Sequence, residues 1–229
     1  MEEFGAIDTI KKSFDILMDD LGIIVLYAMP AIIGLIMAIH IGFTTTARSF
    51  IDPTGMSTVT ALLPFIMIYM IALIVVSVIA MTGVILKVGA LQNNTSIELN
   101  EAFSGGIGYF IPLFLSHIIF GLVITFGFIL LIIPGIYFGL RMSLFAPACV
   151  LETKDTSCIR RSWNLAKGRI WKIFSIILIL SIISIVLGFV PFIGSFISTL
   201  IIGPIQTIAL TLVYLDARKS ESGELVNTV

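Results

Sequence analysis

The sequence predicts an all-α integral membrane fold: six transmembrane helices arranged as three hairpins, each preceded by a short amphipathic helix at the interface. Three observations predict it. First, residues 173–215 contain no Asp, Glu, Lys, Arg or His, and as one straight helix they would reach roughly 65 Å at 1.5 Å per residue. That is about twice a hydrocarbon core of roughly 30 Å, so the run must cross, turn and return, and Val190-Pro191-Phe192-Ile193-Gly194 holds the Pro and Gly for the turn. Second, the chain is 58% hydrophobic and only 12% charged, with mean hydropathy +1.13, against roughly 25% charged residues in an average soluble domain. Third, amphipathic stretches stand ahead of alternate apolar runs. The 229 residues suit one bundle over residues 1–216 and a polar cytoplasmic tail at 217–229, without an appended catalytic domain of ordinary size.

Residues 21–43, 59–86 and 107–133 are each uncharged and long enough to span. Pro134-Gly135 turns the chain into a fourth span at 136–151, interrupted only by Arg141, and the long run divides into 173–190 and 192–215. Six crossings put both termini on one side. Eleven of the 13 Lys and Arg residues then share that face, with Arg48 opposite and Arg141 within a span. The positive-inside rule makes the basic face cytoplasmic, as expected of a multi-pass protein of a prokaryotic cell membrane. The opening Met1-Glu2-Glu3 and the length of the first run read as a retained anchor, not a cleaved signal. Cys149 and Cys158 fall at the same face, where thiols stay reduced. With no His or Cys at ligand spacing, they are expected to be unpaired.

The first amphipathic segment places Phe4, Ile7, Ile10, Phe14, Leu17 and Leu21 on one side and its charges on the other, the pattern of a helix lying in the interface. In the second, Thr95 and Glu98 have the spacing of a capping box ahead of a helix from Leu99. The third is basic. Asp155 or Thr156 is its expected cap, Ile159, Trp163, Ala166 and Ile170 its apolar stripe, and Arg160, Arg161, Asn164 and Lys167 its face toward water or headgroups. Ser13-Phe14, Ala102-Phe103 and Ser162-Trp163 set a small residue beside an aromatic at the same point of each segment, which reads as three successive units of one design. Residues 1–20 carry six acids and two lysines, and residues 152–172 carry six bases and two acids. The two segments are therefore expected to lie side by side, or the basic one to bind anionic lipid.

Ionisable groups are costly inside a bilayer and mark function or pairing there. The expected spans hold only three, with no Asp or Glu. His40 lies near the outer end of the first span, at headgroup level. His117 is deeper, and reads as a bond to a neighbouring helix or as a ligand or proton group. Arg141 reads as snorkelling outward or as a phosphate-binding or inter-helix group. Small residues recur every fourth position at Gly34, Ala38 and Gly42, at Gly135, Gly139 and Ser143, and from Ser195 to Thr211. They mark seams within one bundle or between two copies. Prolines 30, 64, 112, 147 and 204 should bend or interrupt spans. No Walker-type loop, G-x-S-x-G elbow, HExxH or paired-carboxylate motif occurs. No catalytic residue, cofactor or metal ligand is assigned, the chain is not expected to be an enzyme, and nucleic acid is not an expected partner.

Residues 137–171, with Arg141, Pro147, Glu152, Arg161-Ser162-Trp163, Leu165, Lys167-Gly168 and Trp171, resemble the signature of the membrane domain found beside some glycerophosphoryl diester phosphodiesterases. They are also similar to stand-alone YciC-type inner-membrane proteins. The resemblance implies a six-helix integral domain with cytoplasmic termini. Phosphodiesterase chemistry in that family belongs to a separate soluble barrel, which this chain lacks, so no catalytic residue carries over. The expected function is that of a non-enzymatic membrane protein that binds or organises lipid or a partner protein. Arg141, Glu152, Arg160, Arg161, Trp163, Lys167, Arg169 and Trp171 are the candidate contacts, and Glu152 is placed to pair with Arg160 or Arg161. The alternative is a transporter or channel for a small solute or lipid, against which stands the lack of membrane carboxylates for proton or sodium coupling.

Overall fold

Among the described residues six helices are long and apolar enough to cross a membrane, and the chain is an all-α multi-pass membrane protein. The computed structural model describes residues 5–49, 56–152, 157–191 and 193–227. The first unit consists of α1 (Ala6–Asp19), α2 (Leu21–Ser49) and α3 (Met56–Gln92). The second has α4 (Leu99–Gly108), α5 (Phe110–Leu130) and a divided return, α6 (Ile132–Met142) and α7 (Phe145–Leu151). The third has α8 (Cys158–Leu165), α9 (Ile170–Gly188) and a return built of α10 (Ile193–Ile197), a π-helical turn at Ser198–Ile202 and α11 (Gly203–Asn227).

The threefold reading of the sequence has a direct counterpart in packing. Each short helix lies against the return helix of the unit before it: α4 on α3, α8 on α6 and α7, and α1 on α11, which closes the cycle. Ser13, Ala102 and Ser162, the small residues aligned between units, are all 0% exposed. A Cβ or backbone at these points sits in a close helix contact, as with Ala102, whose carbonyl lies 3.1 Å from where a Cβ on Gly83 would stand. The paired aromatics remain at least partly accessible. Only small residues permit such close approach of the short helices.

Between the short helices is one continuous core, in which Leu17, Ile23, Val84, Ile173, Ile176, Leu180, Ile208 and Tyr214 are fully buried. A second cluster joins Ile85 of α3, Leu113 of α5 and Phe145 of α7. The outward surface is equally apolar. Ile133 and Phe189 are 81% and 82% exposed, a distribution that lipid, and not water, solvates. On α1, Ile7 and Phe14 face outward while Thr9, Ser13 and Leu17 are buried, and Leu21 at the start of α2 is exposed, so the expected apolar stripe splits between bilayer and bundle.

Several local expectations are corrected. The turn after α5 falls at Leu131, in extended backbone, ahead of Pro134. A proline in the first turn of a helix gives up an N–H that has no intrahelical partner, so α6 starts before it. Close approach at the turn depends on glycine, because a Cβ on Gly127 would stand 2.8 Å from the Gly135 Cα. The Thr95–Glu98 capping box is not formed: the Thr95 hydroxyl donates to the Ala90 carbonyl and Glu98 makes no capping bond. Asp155 and Thr156 lie outside the described residues, and Ser157 stands at the N-cap of α8 without a side-chain bond. Gly34 meets nothing within 4 Å, so at that point the small-residue ridge of α2 is not a seam within the bundle.

Candidate functional site

The ends of α7, α8 and α11 meet in an ion-pair network centred on Glu152. Tyr214 donates its hydroxyl to Glu152 Oε1 at 2.6 Å and Arg161 donates Nε–H to the same oxygen at 3.0 Å. The other edge of the Arg161 guanidinium forks onto Glu221, with Nη2 at 2.6 Å from Oε2, and Arg218 Nε lies 4.0 Å from Glu152. Burial alone would raise the Glu152 carboxyl, but the bonds from Tyr214 and Arg161 and the charges of Arg161 and Arg218 outweigh it and hold the group below the usual carboxylate range. The Glu221 hydrogen bond, with Glu152, raises Arg161 against the opposing effect of its burial. Of the two expected partners for Glu152, Arg161 is the one it takes.

Pairing turns Arg161 inward, which corrects its expected place on the water-facing side of α8. The buried positions of this segment are Ser162, Leu165 and Ala166, while Trp163 is half-buried and Arg160 and Lys167 are exposed. Arg169 and Lys172 lie 3.6 and 3.8 Å from Asp216, and Arg169 also donates to Ser220. Trp171 is 80% exposed. After Lys167 the chain reverses through Gly168 at φ +87, a left-handed conformation that favours glycine. Residues 1–20 and the basic segment are expected side by side, and α1 packs on α9, which begins within that segment. Arg161, Arg169 and Lys172 are neutralised by Glu152 and by acids on α11, on which α1 also packs.

Asp20 plays two parts that the sequence reading missed. Its Oδ1 accepts the Gly22 N–H at 2.9 Å, capping α2, and its Oδ2 takes Lys87 Nζ at 2.7 Å, where that side chain is only 8% exposed. An acid directly before the apolar run was the available signal.

Arg141 does not snorkel outward. Near the end of α6 its Nε–H and Nη2–H donate to the hydroxyl of Tyr137, one turn earlier on the same helix, at 3.0 and 2.8 Å, and its Nη1–H donates to the Trp163 carbonyl of α8 at 2.9 Å. The guanidinium carbon lies 5.0 Å from the Trp163 ring centroid and 5.3 Å from that of Tyr137. Ser162 completes the junction by donating to the Arg141 carbonyl at 3.0 Å. His117 bonds along its own helix, Nδ1 to the Leu113 carbonyl at 2.8 Å, and sets its ring edge on Phe145. His40 packs against Phe65 and Tyr69. Cys149 and Cys158 are joined by a disulfide, contrary to the expectation of free thiols; the nine-residue separation spans the α7–α8 connection and carries no sequence signal of its own.

Compared with protein-family models, curated proteins and solved structures, the chain finds no match.

A cavity of about 640 Å³ lies between α2, α3, α5, α6, α7, α9 and α11. Its walls are mainly apolar, among them Ile85, Phe120, Ile124, Leu140 and Phe174. A few polar groups interrupt them, Ser143, Gln206 and the Tyr27–Thr207 pair, whose hydroxyls bond at 2.7 Å. Phe128, Ile136 and Leu178 belong both to the lining and to the exposed apolar surface, so the cavity reaches the lipid-facing side between the α5–α6 hairpin and α9. None of its polar side chains carries a charge at neutral pH, and among the described residues no cluster of His, Cys, Asp and Glu could hold a metal ion.

Proposed function

We propose that the chain is a non-enzymatic lipid-binding protein of the cytoplasmic membrane, with both termini in the cytoplasm, that takes a lipid chain from the bilayer into the inter-helix cavity. The observation that carries this reading is the cavity. Its volume of about 640 Å³ falls within the roughly 300–1,000 Å³ of small-molecule sites, its walls match hydrocarbon, and its rim is on the surface that lipid covers. A water there would find few of the two to four polar partners it needs. The likeness to the membrane domain beside glycerophosphoryl diester phosphodiesterases belongs to the same proposal, since two of the residues carrying it, Arg141 and Trp163, join α8 to α6, a helix that lines the cavity. A lipid role is favoured over a protein-partner role because Arg161, Arg169 and Lys172 have carboxylate partners within the chain. Transport of a lipid is the second reading, favoured by the π-helical turn that runs into the cavity wall at Gly203, since such turns concentrate at functional sites.

Gly139→Leu tests the reading. A Cβ here would meet only the Ile124 side chain, at an ordinary 3.5 Å, and the remaining atoms would extend into the cavity. Thermal stability should hold or rise, because glycine within a helix is destabilising by roughly 0.5–1 kcal/mol relative to alanine. Lipid retained per chain through detergent purification, counted by native mass spectrometry, should fall. Equal retention in variant and wild type would sink the proposal.

A further inference from the structure

We infer that the α6–α8 junction is a phosphate site, and that the occupant of the cavity is an anionic phospholipid whose phosphate lies on Arg141, with Arg160 and Lys167 beside it. This rests on the lipid-binding reading above and adds the class of lipid. Among the described residues, the inward-facing cations Lys87, Arg161, Arg169 and Lys172 each have a carboxylate within 4.0 Å. Arg141 has none. Its five N–H groups meet two neutral acceptors, the Tyr137 hydroxyl and the Trp163 carbonyl, through three bonds. Two N–H groups and a full positive charge remain for a ligand.

The setting fixes that charge in place. Trp163 and Tyr137 flank the guanidinium, and an indole and a phenol of this kind sit at headgroup level in membranes. Arginine held as a rigid fork suits phosphate oxygens. Arg160 stands one turn before Trp163 on α8 and Lys167 in the turn after it, both exposed and, among the described residues, both without a carboxylate partner. Ile136, Gly139, Leu140 and Ser143 line the cavity, and Tyr137 and Arg141 project from the neighbouring side of the same helix, about 100° away. The phosphate position and the cavity are thus two sides of α6. Three cations with no acid among them in the described residues distinguish an anionic phospholipid from a zwitterionic one.

The chain has two tryptophans, and Trp171→Phe leaves Trp163 as the only one. In vesicles, fluorescence from Trp163 reports on lipids brominated along the acyl chain near the headgroup. Brominated phosphatidylglycerol in a phosphatidylcholine host should quench more strongly than brominated phosphatidylcholine at the same mole fraction in a phosphatidylglycerol host. Removing one base at an anionic lipid site should lower that preference by about fivefold in Arg141→Gln, and removing two should lower it by about 25-fold in Arg160→Gln/Lys167→Gln. The double variant changes only exposed side chains, so it carries the test even where Arg141→Gln fails to fold. Equal quenching by the two lipids in the parent, or an unchanged preference in the double variant, overturns the inference. So does displacement of the brominated lipid by inorganic phosphate, which would make this a site for a free anion. If lipid is still retained in native mass spectra while the preference is absent, the cavity reading stands and only the phosphate assignment falls; if no lipid is retained, the cavity reading fails first.

Discussion

Glu152 offers a test of how far a few polar contacts hold the three units together. In Glu152→Ala the Tyr214 hydroxyl, on a residue with 0% exposure, and the Arg161 Nε–H would both lose their acceptor. Each stranded group costs about 1–3 kcal/mol. Arg161 keeps its fork on Glu221, but that acid is 45% exposed and its contribution is screened. A loss of about 3 kcal/mol is expected. In Glu152→Gln an amide oxygen can accept both bonds, so only the charge-dependent part is lost, about 1–2 kcal/mol from the difference between charged and neutral hydrogen bonds. Tyr214→Phe should fall between these variants, and combining it with Glu152→Gln should cost less than the two separate losses. The pH dependence has a definite sign. Because the folded carboxyl lies below its unfolded value of about 4.3, its contribution is complete above that value and is lost as pH falls through the lower, folded one. The measurement is reversible unfolding in mixed micelles, at neutral pH and then from pH 5 downward. A Glu152→Ala variant within about 0.5 kcal/mol of wild type, the usual range for surface substitutions, would refute the argument.

Asp20→Asn should keep the α2 cap and lose about 1–2 kcal/mol with the Lys87 charge partner, whereas Asp20→Ala should lose the cap as well, a further 1 kcal/mol or so; the same unfolding assay separates them. The Cys149–Cys158 disulfide should block maleimide labelling of the purified chain until a reductant frees two thiols, and mass spectrometry of membranes quenched with maleimide before lysis reads whether the bond is present in the cell.

The spans were legible because long charge-free runs have only one physical outcome in a membrane. So was the three-unit plan, since small residues at a fixed point of each amphipathic segment answer to a packing need that repeats. The inward turn of Arg161 was not legible. Helical periodicity assigns Arg161 by its neighbours on α8, but its environment is set by Glu221, sixty positions on. The snorkelling of Arg141 failed for a related reason: the Trp163 carbonyl that receives it belongs to a separate element, and no local pattern announces it. The capping box at Thr95 shows the reverse case, a correct local motif displaced by a different bond to Ala90.

The cavity could not be read from the sequence because it depends on where helices depart from regularity. Pro30 and Pro64 lie inside unbroken helices, and Pro112 falls in the first turn of α5, where its missing N–H costs nothing. Of the five prolines expected to bend or interrupt spans, Pro147 and Pro204 coincide with an irregularity. A ring at 147 displaces the carbonyl of Ser143, four residues earlier, and there α6 gives way to α7. A ring at 204 acts on the carbonyl of Leu200, within the π-helical turn. Ser143 and Gly203, next to these two departures, both line the cavity. Both departures therefore border the cavity, and neither is announced by the hydropathy of the run in which it lies.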